Sequence, residues 1–353
     1  MIGNRKLRVL VVDDSALVRQ IVTAGLSGDP GLEVVGTASD PFVARDKIVE
    51  LRPDVLTLDV EMPRMDGVEF LRRLMPQHPI PVVMLSSLTQ RGKQITFEAM
   101  EAGAVDFVSK PAGDQGRKLQ EVIQELRTKV KIAAMANVSH WKEKRPIPPE
   151  GPRTRDLHES TDKVIAIGAS TGGTEAIRRI LPRFPVSTPG IVIVQHMPPG
   201  FTKMFADRLN TQCQMEVREA QNGDRIVPGR VLIAPGGVHL RVRRSGGIYE
   251  AVCRGDEKVS GHCPSVDVMM QSVAADVGAN AVGVMLTGMG SDGAEGMLAM
   301  RKKGARTVVQ DEATCVVYGM PKVALEKGGG ECARPLDSIP DTVLHYLESG
   351  RRP

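Results

Sequence analysis

Three residues in this chain have the types and settings that nucleophilic chemistry needs. Ser170 lies in Gly168-Ala-Ser-Thr-Gly-Gly173, immediately after the apolar run 164–167 and before a stretch with the apolar spacing of a helix at 174–181. Gly168, Ser170 and Gly172 satisfy G-x-S-x-G, which exposes a serine hydroxyl on a strand-to-helix turn beside unpaired helix N–H groups. A glycine-rich anion-binding turn whose serine only caps the helix has the same appearance, and this segment alone leaves both readings open. His196 ends a second apolar run, Ile191-Val-Ile-Val-Gln-His196, and Asp292 stands between glycines after a third that starts at Ala281. Singly, such a histidine usually satisfies local hydrogen bonds, and an aspartate beside glycine is ordinary turn chemistry. Together, each past the carboxyl end of a strand, they supply a nucleophile, a base and an orienting acid. The chain order Ser, His, Asp argues against the α/β-hydrolase fold, where the acid precedes the histidine.

A second constellation lies nearer the N-terminus. Asp13 and Asp14 follow the first apolar strand, Asp59 the third, Ser86 ends the fourth and Lys110 follows the fifth. Carboxylates gathered at one sheet edge repel one another, and a hard divalent cation such as Mg²⁺ relieves that repulsion. With Lys110 screening charge, Asp59 is placed to attack a phosphoryl group, and Ser86 to hydrogen-bond the bound phosphoryl and move towards it. Simple helix capping by Asp13 and Asp14 accounts for neither Asp59 nor Lys110.

The elements that must position these residues alternate regularly. Strands are expected at 7–12, 33–38, 54–58, 81–86 and 105–109, with helices near 15–27, 40–51, 67–75, 90–102 and 117–134. This is the flavodoxin-like doubly wound plan of five βα units, and the domain is expected over 5–134. Residues 135–162 form an expected linker, extended through Pro146, Pro148, Pro149 and Pro152. Trp141, the single tryptophan, lies in it and is expected to pin it to a domain surface. A second α/β domain is expected over 163–348. Its middle, about 215–260, carries short strands at 230–234, 239–242 and 248–252 separated by Gly-Gly turns, which predicts an antiparallel hairpin attached to a mainly parallel sheet.

The 353 residues suffice for two domains, and the net charge of +4 is spread out, without the basic block that tracks nucleic acid. No apolar stretch approaches the ~20 residues of a membrane span, and the N-terminus carries no signal-peptide pattern, so a cytoplasmic protein without membrane insertion is expected. Cys213, Cys253, Cys263, Cys315 and Cys332 are odd in number and lack C-x-x-C pairs, indicating neither a disulfide framework nor a zinc site.

Residues 7–134 resemble the receiver domain of two-component response regulators. The acidic pair, the block Leu58-Asp-Val-Glu-Met-Pro-Arg-Met-Asp-Gly67, Ser86 and Lys110-Pro111 carry that resemblance. It implies a phosphoacceptor role for Asp59, Mg²⁺ ligation by Asp14, Asp59 and the Glu61 carbonyl with Asp13 close by, and a cis Lys110–Pro111 bond. Four later blocks select a family within that group: Gly168–Gly173, Gln195-His-Met-Pro-Pro-Gly200, Ala234-Pro-Gly-Gly237 and Leu286-Thr-Gly-Met-Gly-Ser-Asp-Gly293. They resemble the chemotaxis methylesterase (CheB) family. The resemblance implies hydrolysis of glutamate γ-methyl esters on chemoreceptors, releasing methanol and needing no cofactor for the ester step. Glutamine deamidation and phosphorylation by a chemotaxis histidine kinase are implied with it, as is a receiver whose 90–115 face obstructs the esterase edge until phosphorylated. Ser170, His196 and Asp292 would form the catalytic triad, with backbone N–H groups near Thr171 and Met289 as candidates for an oxyanion hole.

Two other classes predict different behaviour. A receiver-controlled DNA-binding protein lacks support in the large α/β output half and the absence of a helix-turn-helix pattern or basic face. A dinucleotide-binding enzyme is disfavoured because Ser170 stands where G-x-G-x-x-G needs its second glycine, and no Walker lysine follows.

Overall fold

A computed structural model of the chain describes residues 5–86, 89–110, 119–142 and 162–348. The chain divides into two compact units, Met1–Pro146 and Ile147–Pro353.

In the first unit, strands β1 (Leu7–Val12), β2 (Leu32–Ala38), β3 (Val55–Asp59), β4 (Val82–Ser86) and β5 (Asp106–Ser109) alternate with helices α1 (Ala16–Ser27), α2 (Pro41–Leu51), α3 (Gly67–Gln77), α4 (Gln90–Glu101) and α5 (Leu119–Ala133). The sheet order is β2-β1-β3-β4-β5, and every pairing is parallel. Helices cover both faces of such a sheet, so β3 and β4 are mostly apolar and are buried along their whole length rather than alternating. Helix α1 packs against α5, and α3 against α4. Trp141 lies in a 3₁₀ turn, Ser139–Trp141, with its ring beside Gly103 and Met75, so it rests on this unit's surface as expected.

In the second unit, β6 (Val164–Ala169), β7 (Gly190–Gln195), β8 (Glu216–Glu219), β10 (Arg230–Ile233), β13 (Ala281–Met285), β14 (Arg306–Gln310) and β15 (Cys332–Arg334) form one parallel sheet. Its order is β15-β14-β13-β6-β7-β10-β8. Helices α6 (Gly173–Ile180), α7 (Phe201–Asn210), α8 (Val266–Asp276), α9 (Ala294–Lys302), α10 (Met320–Glu326) and α11 (Ile339–Glu348) complete it. Strands β9 (Arg225–Ile226), β11 (Leu240–Ser245) and β12 (Ile248–Cys253) form a separate antiparallel sheet in the order β11-β12-β9.

The expected hairpin is therefore β11–β12, with β9 added at its side. The strand expected at 230–234 does not join it. Val231, Leu232 and Ile233 are consecutive buried residues, which suits the interior of the parallel sheet between β7 and β8. Leu240 and Val242 instead alternate with more exposed arginines. Their buried side chains, with Tyr249 and Ala251, share one core with Met269, Met270 and Val273 of α8.

Candidate active site

The three strands that carry Ser170, His196 and Asp292 are neighbours, in the order β13-β6-β7. Ala169 pairs with Gln195 and Gly168 with Met285, so the next residues of all three strands emerge side by side at the carboxyl edge. Backbone bonds join these exits: His196 N–H donates to Ala169 O at 3.2 Å, and Ser170 N–H to Thr287 O at 3.0 Å.

Ser170 does not cap α6. The cap position belongs to Gly172, at φ 77° with no side-chain bond, a backbone region that favours glycine. The serine side chain is thus left for other work, and no side chain caps the helix N-terminus behind it. The loop after β13 passes so close that a Cβ on Gly288 would lie 2.8 Å from Ser170 Cβ. Met289 follows immediately, and its N–H has no hydrogen-bond partner among the described residues. Thr171 is buried, and its carbonyl accepts the Thr287 hydroxyl at 3.0 Å.

His196 Nε2 meets Asp292 Oδ2 at 2.8 Å, with the imidazole 8% and the carboxylate 1% exposed. Nδ1 is buried and without a hydrogen-bond partner among the described residues. A buried, unsatisfied ring nitrogen is costly, so one beside a serine-bearing turn marks a place for a proton to arrive. Asp292 is held from α8, an element that sequence reasoning missed. Its Oδ1 accepts the Ser265 hydroxyl at 2.8 Å and Asp267 N–H at 3.0 Å, and its Oδ2 accepts Val266 N–H at 2.7 Å. Burial pushes this carboxyl up, but the bond and charge of His196, the Asp267 N–H and the Ser265 hydroxyl outweigh it and hold it below the ordinary value. The available signal was Ser265 after Pro264, just ahead of an apolar helical run. Gln195 was also missed in this role: it is buried and donates to Ser170 O at 2.9 Å, fixing the carbonyl of the serine turn. His262 stacks on His196, with ring centroids 3.7 Å apart and planes within 9°.

In the first unit, Asp13, Asp14 and Asp59 offer carboxylate oxygens that all lie within 4.8 Å of one another. Lys110 Nζ bridges Asp13 at 2.9 Å and Asp59 at 2.8 Å. Burial raises the Asp59 carboxyl to about 6 with help from Asp13, while Lys110 and the Val60 N–H pull the other way. Burial by itself would lower the Lys110 ammonium, but Asp59 and Asp13 outweigh it and raise its pKa. Helix capping falls to Ser15, which accepts Val18 N–H, while Asp13 Oδ1 accepts Ser15 N–H at 2.9 Å. A Cβ on Gly67 would lie 2.3 Å from Asp59 O, so the start of α3 can approach the acidic pocket only as glycine. The Glu61 carbonyl accepts no hydrogen bond among the described residues. Ser86 is fully buried, and its hydroxyl engages Thr96 and the Gly92 carbonyl of α4. The expected cis Lys110–Pro111 bond, and the linker from 143 to 161, lie outside the described residues.

Architecturally, the two units define a response-regulator receiver and an α/β output domain. Residues 9–124 match the response regulator receiver domain model, and residues 165–343 match the CheB methylesterase model. The chain belongs to the CheB methylesterase family. It is 66% identical, over 98% of its length and 99% of the relative's, to a protein-glutamate methylesterase/protein-glutamine glutaminase of Syntrophotalea carbinolica. A protein of that name from Sulfurimonas denitrificans is 54% identical, covering 98% and 99%. Among solved structures, the Thermotoga maritima CheB methylesterase catalytic domain superposes with a TM-score of 0.51 at 37% identity, spanning 53% of this chain and 97% of that one. No helix among the described residues is long and apolar enough to cross a membrane.

Proposed function

We propose that this chain is a phosphorylation-regulated protein-glutamate methylesterase acting on γ-methyl esters of chemoreceptors. The observation that carries the reading is His196 held by Asp292 through Nε2, with Nδ1 buried and unpartnered on the strand next to Ser170.

The Ser170 hydroxyl gives its proton to His196 Nδ1 as its oxygen attacks the ester carbonyl. Asp292 keeps the proton on Nε2 and stabilises the imidazolium. The tetrahedral oxyanion is received by the N–H groups of Met289 and Thr171, each such donor contributing about 3 kcal/mol. His196 returns its proton to the departing methoxide, so methanol leaves and an acyl-serine remains. Water, deprotonated by His196, then hydrolyses the acyl-enzyme to glutamate and restores the serine. A glutamine side chain can follow the same path, with ammonia as the leaving group.

In the receiver, the all-oxygen donors fit a hard cation. Asp13, Asp14 and Asp59, with the Glu61 carbonyl, would hold Mg²⁺, whose chemistry is to neutralise charge on a transferring phosphoryl group. Asp59 is the nucleophile towards a histidine kinase's phosphoryl group, and Lys110 lies against its carboxylate to screen the acyl phosphate. Measuring methanol release from methylated receptor, with and without a small phosphodonor and Mg²⁺, tests the reading. The expected result is basal release that rises on phosphorylation.

A further inference from the structure

His262 is absorbed by none of the roles above, yet its ring lies flat on His196 at 3.7 Å and 9°. We propose that His262 is a positioning residue for the general base, fixing the plane of His196 so that Nδ1 stays aimed at Ser170. The proposal rests on the methylesterase reading.

The bond from Nε2 to Asp292 restrains one edge of the His196 ring but leaves its tilt about that edge less constrained. A base that must collect a proton from one oxygen cannot tolerate such tilt, because small errors in placement cost large factors in rate. A flat ring against its face removes that freedom. An aromatic face also favours the positive charge that His196 acquires when it takes the proton, most strongly where water is excluded.

The loop that presents His262 is built rather than incidental. Val259 and His262 exchange backbone hydrogen bonds of 3.0 and 2.9 Å around Ser260 and Gly261. Both central residues have positive φ, 53° and 83°, as a type I′ turn requires. Ser260 Oγ is tied to Asp267 Oδ2 at 3.3 Å. His239 Nδ1 accepts Ser265 N–H at 3.2 Å, which leaves the proton on Nε2 to donate to Glu257 O at 2.7 Å. The turn is therefore anchored to the first residues of α8, the same residues that hold Asp292. Edge and face of His196 take their position from one helix terminus.

The test is the rate at which a fluorophosphonate labels Ser170 in the full-length protein, alongside kcat and KM for methanol release. His262→Phe keeps a flat ring, whereas His262→Leu does not. The expected result is labelling within about twofold of the parent for phenylalanine and about tenfold slower for leucine, a factor within the span of cation–aromatic contacts. The loss should fall in kcat with KM unchanged. Leucine labelling as fast as the parent, or phenylalanine as slow as leucine in folded protein, overturns the proposal. Should the leucine variant not fold, His262→Gln provides the comparison without a ring. Failure of the parent to label at Ser170 would instead strike the methylesterase reading itself, so the two failures are distinguishable.

Discussion

The Ser265 hydroxyl donates to Asp292 Oδ1 at 2.8 Å while accepting the Val268 N–H at 3.3 Å. One side chain thus caps helix α8 and holds the acid that orients His196. The carboxylate and the helix that steadies it come from segments 27 residues apart, so the site's rigidity depends on tertiary packing.

Ser265→Ala should therefore cost both stability and activity. Losing a helix cap and a buried bond to a carboxylate should lower stability by about 1–2 kcal/mol. Asp292 keeps its two backbone donors, so kcat should fall several-fold rather than vanish. Denaturant unfolding and methanol release measure the two effects. Unchanged stability would show that the cap contributes nothing.

Asp59 carries a measurable cost when no divalent cation is present. Its folded carboxyl is raised to about 6, above its ordinary value, so ionising it opposes folding. The folded state binds the extra proton, and stability should rise as pH falls from about 6 towards 4. At pH 7 without Mg²⁺, Asp59→Asn should stabilise the receiver by about 2–3 kcal/mol, since one pKa unit is about 1.4 kcal/mol. The gain should shrink towards zero near pH 4. Calorimetry of the receiver transition decides, and a destabilised variant at pH 7 contradicts this account.

The same substitution separates regulation from chemistry. Asp59→Asn should leave basal methanol release intact and abolish stimulation by a phosphodonor. Lys110→Arg should impair stimulation despite keeping its charge, because a planar guanidinium does not replace a compact ammonium held between two carboxylates. Full stimulation of the arginine variant would remove Lys110 from the switch.

The family resemblance implies inhibition by the unphosphorylated receiver, which makes its removal activating. A fragment beginning near Ser160 should release methanol faster than the unphosphorylated full-length protein. A folded fragment that is slower would show that the receiver assists the site.

Much of this was legible because strand ends are legible. Apolar runs closed by Ser170, His196 and Asp59 announce sheet edges, and the parallel topology gathers those edges by rule. Asp292 and Lys110 were found the same way. The supporting contacts escaped because they depend on approach rather than pattern. Ser265 reaches Asp292, and His262 reaches His196, only after the parallel sheet and α8 have packed. Ser86 likewise meets Thr96 only once α4 has packed on the sheet. Residues 230–234 look like part of the hairpin because turns flank them, but consecutive buried side chains from Val231 onwards suit the parallel interior.

The most direct measurement is methanol release from methylated chemoreceptor by the parent and by folded Ser170→Ala, each with a phosphodonor and Mg²⁺. The account predicts phosphodonor-stimulated release by the parent and almost none by the variant, with His196→Ala adding little further loss because the two residues act as one unit. Release by Ser170→Ala at near-parent rates would contradict it.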